Sequence, residues 1–244
     1  MQRFFLSADH VNDDFITITG ADANHIGRSL RMKIGDKLII CDMQKNEYEC
    51  EISSFEKETV TVRIVNRSKN DTEPLYKSYL YQALPKGDKM DYIVQKAVEL
   101  GVYSIIPFVS ERCISRPDAA ACKKKVIRWQ RIAEEAAKQC GRGIIPIVGN
   151  VLNYNEMIQN AASGELVFFC YEGDGTEKIG NIIKGKYVDI RFIIGAEGGF
   201  SINEVEIAQN SGMKITGLGK RILRCETASG FVLSCLTYEN ELRV

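Results

Sequence analysis

The sequence predicts a small barrel of short strands followed by a larger α/β domain on a largely parallel sheet. Residues 1–70 hold several short strand-patterned runs; a polar stretch at 66–74 ends in proline; and beyond it strands alternate with helices. The length agrees, because 244 residues at about 150 per domain leave room for two modest domains.

In the first region the strand-patterned runs are 15–19, 37–41, 48–52 and 59–65, where Val60, Val62 and Ile64 alternate with polar neighbours. Residues 21–30 read as a short helix, and Gly35 with Asp36 as the turn before the second run. The stretch from Asn66 to Pro74 is the best linker candidate, so the domains are expected at 1–70 and 74–244. In the second region strands are expected at 78–84, 104–108, 144–148, 166–171, 191–194 and 215–218. Helices are expected at 90–100, 123–139, 154–162, 202–211 and 227–242, the first two stopped by Gly101 and Gly141. No fixed-period repeat is visible, which sets solenoids and propellers aside.

Composition narrows the function classes. Hydrophobic residues make up 45% and charged ones 26%, as in folded protein. Lys+Arg and Asp+Glu stand at 32 each, so any contact with nucleic acid must come from local clusters of charge. Eight cysteines are scattered singly with no C-x-x-C pair, which reads as reduced, mostly buried thiols and not a zinc site. His10 and His25 alone exclude a multi-histidine metal centre. With neither a signal peptide nor a membrane-length apolar run, a cytoplasmic location is expected.

Three strands of the second region end in glycine-bearing loops: Tyr171-Glu172-Gly173-Asp174-Gly175, Gly195-Ala196-Glu197-Gly198-Gly199, and Leu218-Gly219-Lys220-Arg221-Ile222-Leu223-Arg224. One such loop is no more than a turn. Ligands of open α/β sheets bind beyond the carboxyl ends of strands, so three together predict a pocket lined by main chain. Neither G-x-G-x-x-G nor the phosphate-loop pattern is present, which disfavours a Rossmann dinucleotide site and a nucleotide triphosphatase. Ser201-Ile202-Asn203-Glu204 reads as a capping box that starts a helix at the end of the second loop. Glu197 is weighed evenly between a solvated or helix-dipole carboxylate and a ligand contact.

Basic residues cluster at 112–142, nine against three acidic ones, and positions 124, 128 and 131 share one helical face. That stripe is either a phosphate contact or a solvated face. Arg28, Arg31 and Lys33 form a second cluster, within a region carrying ten basic and eleven acidic side chains.

Several segments together resemble the ribosomal RNA small subunit methyltransferase E family. They are His25-Ile26-Gly27-Arg28-Ser29-Leu30-Arg31 with Gly35-Asp36, Lys86-Gly87-Asp88-Lys89-Met90, and Gln95-Lys96-Ala97-Val98-Glu99-Leu100-Gly101. Ser110-Glu111-Arg112-Cys113, Trp129, and Glu135-Ala136-Ala137-Lys138-Gln139-Cys140-Gly141-Arg142 continue the match. So do Ile194-Gly195-Ala196-Glu197-Gly198-Gly199-Phe200 and the run from Leu218 to Ala228. Ala196 is one departure, since the family usually has proline there. The resemblance implies a PUA-like β-barrel and a SPOUT-type α/β methyltransferase domain whose backbone forms a trefoil knot. It also implies S-adenosyl-L-methionine as methyl donor, a homodimer through the knot domain, and methylation of N3 of one uridine in 16S ribosomal RNA, within rRNA processing and ribosome biogenesis.

Carried over by position, the donor-binding residues expected are Tyr171, Gly195, Glu197, Gly198, Gly199, Leu218, Gly219, Ile222, Leu223, Glu226, Thr227 and Ala228. The residues expected to meet RNA are Arg28, Arg31, Lys33, Lys86, Lys89, Arg128 and Arg142, and no metal is expected. The catalytic expectation falls on Arg224, assisted by Arg112, because a guanidinium beside the uridine carbonyls would stabilise the charge that develops as N3 loses its proton. An ion pair to Glu226 or Glu197 is the alternative role for Arg224. No side chain stands out as general base, and Cys225 reads as a packed thiol whose serine variant should stay active. Two rival readings stand beside this one: a knotted methyltransferase acting on another RNA position, such as a transfer RNA ribose 2′-hydroxyl, and a catalytically silent RNA-binding adaptor.

Overall fold

The computed structural model describes residues 1–7, 10–11 and 14–243. The chain divides into two compact units: Met1–Glu73 with Ala137–Ile145, and Pro74–Ala136 with Pro146–Val244.

The first unit is a five-stranded sheet ordered β1-β3-β4-β5-β2, with β1 at Gln2–Phe5, β2 at Phe15–Thr19, β3 at Lys37–Cys41, β4 at Asn46–Phe55 and β5 at Thr59–Lys69. β1 runs parallel to β3, while every other neighbouring pair is antiparallel. The alternation that predicted the strands decides which face is inside. Ile16 and Ile18, Leu38 and Ile40, Cys50 and Ile52, and Val60 and Val62 are all buried in one core with Phe4 and Ile26. β1 is an addition to the expected set: its four residues are too few for a periodicity to show. The helix expected at 21–30 is α1 (Gly20–Asn24) continued by a π-helical turn at His25–Ser29.

The polar stretch expected as a linker is built into this unit instead. Residues through Lys69 belong to β5, paired to β4 as far as Asn46. Beyond them Asn70 donates to the Gly141 carbonyl at 3.2 Å. The Glu73 carboxylate accepts from the backbone N–H groups of Gly143 and Ile144 and from Arg142, whose guanidinium lies 2.7 Å away. Both charged side chains are 4% exposed, so the pair is desolvated and held by additional hydrogen bonds. Arg142 is therefore an internal tie and not the RNA contact expected of it.

In the second unit the sheet is ordered β11-β13-β10-β12-β6-β7-β8. Its strands are β6 (Lys77–Ala83), β7 (Ser104–Val109), β8 (Ile147–Val148), β9 (Leu152–Asn153), β10 (Leu166–Cys170), β11 (Glu177–Lys178), β12 (Asp189–Ile194) and β13 (Lys214–Gly217), with β9 alongside β7. All the described pairings are parallel. Helices α2 (Lys89–Glu99), α3 (Ala119–Cys140), α4 (Tyr154–Ala161), α5 (Ile179–Ile182), α6 (Ile202–Asn210) and α7 (Cys225–Thr237) connect them, and α7 runs on into a π-helical turn at Tyr238–Leu242. α3 begins earlier than its apolar pattern, because the Asp118 side chain accepts from the Ala121 N–H at 2.8 Å and caps it. Among the described residues no helix is long and apolar enough to cross a membrane.

Candidate functional site

Sheet order places the site. β10 lies between β13 and β12, and all three are parallel, so the three glycine-bearing loops leave the same sheet edge side by side. They enclose a cavity of about 580 Å3. Its walls include main chain at Gly195, Gly199, Gly217 and Gly219, and apolar side chains at Ile194, Phe200, Leu218, Ile222, Leu223 and Ala228. Charged side chains stand around them: Glu172, Glu197, Lys89, Lys220, Arg221 and Arg224.

The local chemistry explains why these turns form. Gly199 has φ +63, the left-handed region that favours glycine, and an added Cβ would meet the movable carboxylate end of Glu172 from the first loop. Gly219 has φ +111 with nothing within 4 Å of its Cβ position, leaving bare backbone at the third loop. The capping box forms as expected: the Ser201 hydroxyl accepts from the Glu204 N–H at 3.3 Å, and the Glu204 carboxylate accepts from the Ser201 N–H at 2.9 Å. That carboxylate is buried and also takes the Glu111 N–H at 2.7 Å, which anchors the end of the second loop to the loop after β7.

Of the expected donor-binding residues, Tyr171, Gly195, Glu197, Gly199, Leu218, Gly219, Ile222, Leu223 and Ala228 line the cavity. Gly198, Glu226 and Thr227 do not line it. Gly198 turns its carbonyl to Arg112, which donates to it at 3.2 Å, so Arg112 braces the outside of the second loop and is not in the cavity wall. Arg224 lines the cavity, is exposed, and stands as N-cap of α7. Among the described residues it takes no ion pair, neither with Glu226 nor with Glu197.

The Glu197 carboxylate is committed. Lys89 pairs with it at 2.7 Å and the Lys86 N–H donates to it at 3.2 Å. Partial burial pushes its pKa up, but Lys89, its own N–H and the Lys86 N–H outweigh burial and hold it below the usual carboxylate range. Glu226 is lowered too: burial works against it, and its own N–H, Cys225 and the charges of Lys89 and Arg224 overcome that. Burial first and Glu226 second push the Cys225 thiol up to about 12, so at neutral pH it is a hydrogen-bond donor and a poor nucleophile.

Lys89 is the largest departure from expectation, since it faces the cavity and its two carboxylates. Its position in the first turn of α2 was the available signal, because a cation there opposes the helix dipole. Glu172, a second cavity-lining residue, sits in a loop that was singled out but was itself assigned no part. Arg28, Arg31 and Lys33 are all exposed in one short segment of the first unit, and Lys86 is exposed in the second. The stripe at Lys124, Arg128 and Arg131 also faces solvent, with Arg128 ion-paired to Asp91.

Comparison with known proteins identifies the family. A family model described as RNA methyltransferase domain matches residues 71–237, and one described as RNA methyltransferase PUA domain matches 18–65. The ribosomal RNA small subunit methyltransferase E of Bacillus subtilis is 33% identical, over 99% of this chain and 98% of the relative. Among solved structures, the enzyme of that name from Neisseria gonorrhoeae, bound to S-adenosyl methionine, superposes with a TM-score of 0.87 at 29% identity, covering 97% of each chain. A protein from Legionella pneumophila described as a methyltransferase, in complex with the bound cofactor SAM, gives 0.85 at 30% identity over 96% of each. A PUA domain, a methyltransferase domain, and near-complete coverage at this identity have one consequence: the chain belongs to the ribosomal RNA small subunit methyltransferase E family.

Proposed function

We propose that this chain methylates N3 of a specific uridine in 16S ribosomal RNA, using S-adenosyl-L-methionine. The observation that carries the proposal is the cavity framed by the loops after β10, β12 and β13, with the unpaired guanidinium of Arg224 in its wall. The residues fit such a donor. Bare backbone at Gly219 and apolar side chains at Leu218, Ile222 and Leu223 suit an adenosyl group, while Glu172 offers a carboxylate to a cationic one and Arg221 a guanidinium to a carboxylate. When bound, the donor supplies a methyl group already activated by its sulfonium.

The chain's own task is to align the acceptor and favour its anionic form. N3 must shed a proton, and the resulting charge spreads onto both uridine carbonyl oxygens. In this reading Arg224 stabilises that charge: among the described residues it takes no ion pair, although Glu226 feels its positive charge. Glu197 is tied to Lys89 and Lys86, so it is not a free base, and solvent takes the proton. Arg112 supports this arrangement by holding the second loop through Gly198. The exposed Arg28, Arg31 and Lys33 supply phosphate contacts from the PUA domain. The active species in this reading is a homodimer formed through the knotted methyltransferase domain.

Labelled-methyl transfer from S-adenosyl-L-methionine to small subunits and to free ribosomal RNA, with mapping of the modified nucleoside, tests the proposal. One 3-methyluridine in 16S RNA is the expected product. A ribose-methylated or unmethylated product would overturn it.

A further inference from the structure

Lys89 occupies a position that helix stability does not explain. It is the first residue of α2, where the partial positive charge of the helix end disfavours a cation, and the preceding Asp88 makes no side-chain cap. The Glu197 carboxylate from the loop after β12 answers the charge, taking the Lys89 ammonium at 2.7 Å, and it also accepts the Lys86 N–H at 3.2 Å in the turn before the helix. On its other side the ammonium faces Glu226 at 3.8 Å, in the first turn of α7, and the Cys225 thiol donates to that same carboxylate oxygen at 3.2 Å. Three elements therefore meet at one ammonium: α2, the second glycine loop, and the helix into which the third glycine loop runs. The sheet makes this possible, since β6, which feeds α2, is the neighbour of β12.

We infer that Lys89 is a positioning residue for the methyl donor: bridging Glu197 and Glu226, it fastens the second loop to the start of α7 and sets the width of the cavity mouth. The inference rests on the methyltransferase reading of the cavity. It replaces the RNA contact expected of Lys89 from the sequence, because the side chain is only 34% exposed and its ammonium is engaged with both carboxylates.

The test compares the full-length chain with Lys89→Met and Lys89→Arg by calorimetric titration of S-adenosyl-L-methionine and by steady-state kinetics on small subunits. In Lys89→Met, Kd and KM for the donor should both rise about tenfold, with kcat at saturating donor and KM for the RNA substrate nearly unchanged. Lys89→Arg, which keeps the charge and can reach both carboxylates, should restore most of the affinity. An unchanged donor Kd overturns the inference, as does a rise confined to the KM for RNA. Should Lys89→Met fail to fold, Glu226→Gln leaves the shorter pair intact and should weaken donor binding about threefold; no weakening there also overturns it. A wild-type chain that binds no donor would instead defeat the methyltransferase reading itself.

Discussion

The three glycine loops and the basic segment at 112–142 were both marked by local pattern, and the fold treats them differently. The loops converge on one cavity, because adjacent parallel strands must deliver their carboxyl ends to the same edge. The charges disperse: Arg112 braces a loop from outside, Arg128 pairs with Asp91, Arg142 is buried with Glu73, and Lys124 and Arg131 face solvent. A glycine loop at a strand end is constrained by backbone geometry, whereas an arginine reaches whichever carboxylate the fold brings near it. Pattern in the backbone thus transfers to function more safely than pattern in charge.

The sharpest way to break that contrast is at Arg142. Arg142→Ala leaves Glu73 buried and uncompensated, and should cost about 3–5 kcal/mol in chemical denaturation. An unchanged midpoint with weakened RNA binding would return Arg142 to the RNA surface. Arg224→Ala should lower kcat about 100-fold while the donor Kd changes little, as for loss of one donor to a developing oxyanion. Equal loss in both would make Arg224 a donor-binding group. Gly199→Ala forces a side chain into positive φ and against Glu172, and should lower stability by about 1 kcal/mol and weaken donor binding in a calorimetric titration. Full affinity would show that the second loop tolerates a Cβ there.

A pH titration sharpens the same comparison more gently. Glu197 and Glu226 have lowered pKa values in the fold, so their contribution to stability is fully present above the ordinary carboxylate range and is lost as pH falls through the lowered values. Thermal denaturation should therefore be insensitive to this cluster at neutral pH and weaken only in acid. Lys89→Met should flatten that acid limb. The smallest effect is expected at Cys225→Ser, which keeps a donor toward Glu226; turnover within about twofold of wild type is expected, and a collapse of activity would reopen a nucleophilic role for the thiol.

Much of the fold was legible locally. Alternation marked β2 to β5, the Ser201 to Glu204 capping box marked the start of α6, and stop signals marked the ends of α2 and α3. The short elements β1, β9, β11 and α5 were not legible, because two to four residues carry too little periodicity and owe their form to a neighbouring strand or helix. The polar run at 66–74 pointed to a boundary between the units, which falls between Glu73 and Pro74, but not to the form of its own residues: polar side chains look solvated until a partner strand and a buried arginine are placed beside them.

What the sequence by itself determined was the set of strands and helices, the loops that need glycine, and the family likeness, since these depend on neighbours a few residues apart. Tertiary structure alone decided that β10 lies between β12 and β13, that Glu73 and Arg142 meet, and that Lys89 reaches Glu197 and Glu226. Those pairings join residues 69, 108 and 137 positions apart, and a long charged side chain carries no local mark of which distant partner the packed sheet will bring within its reach.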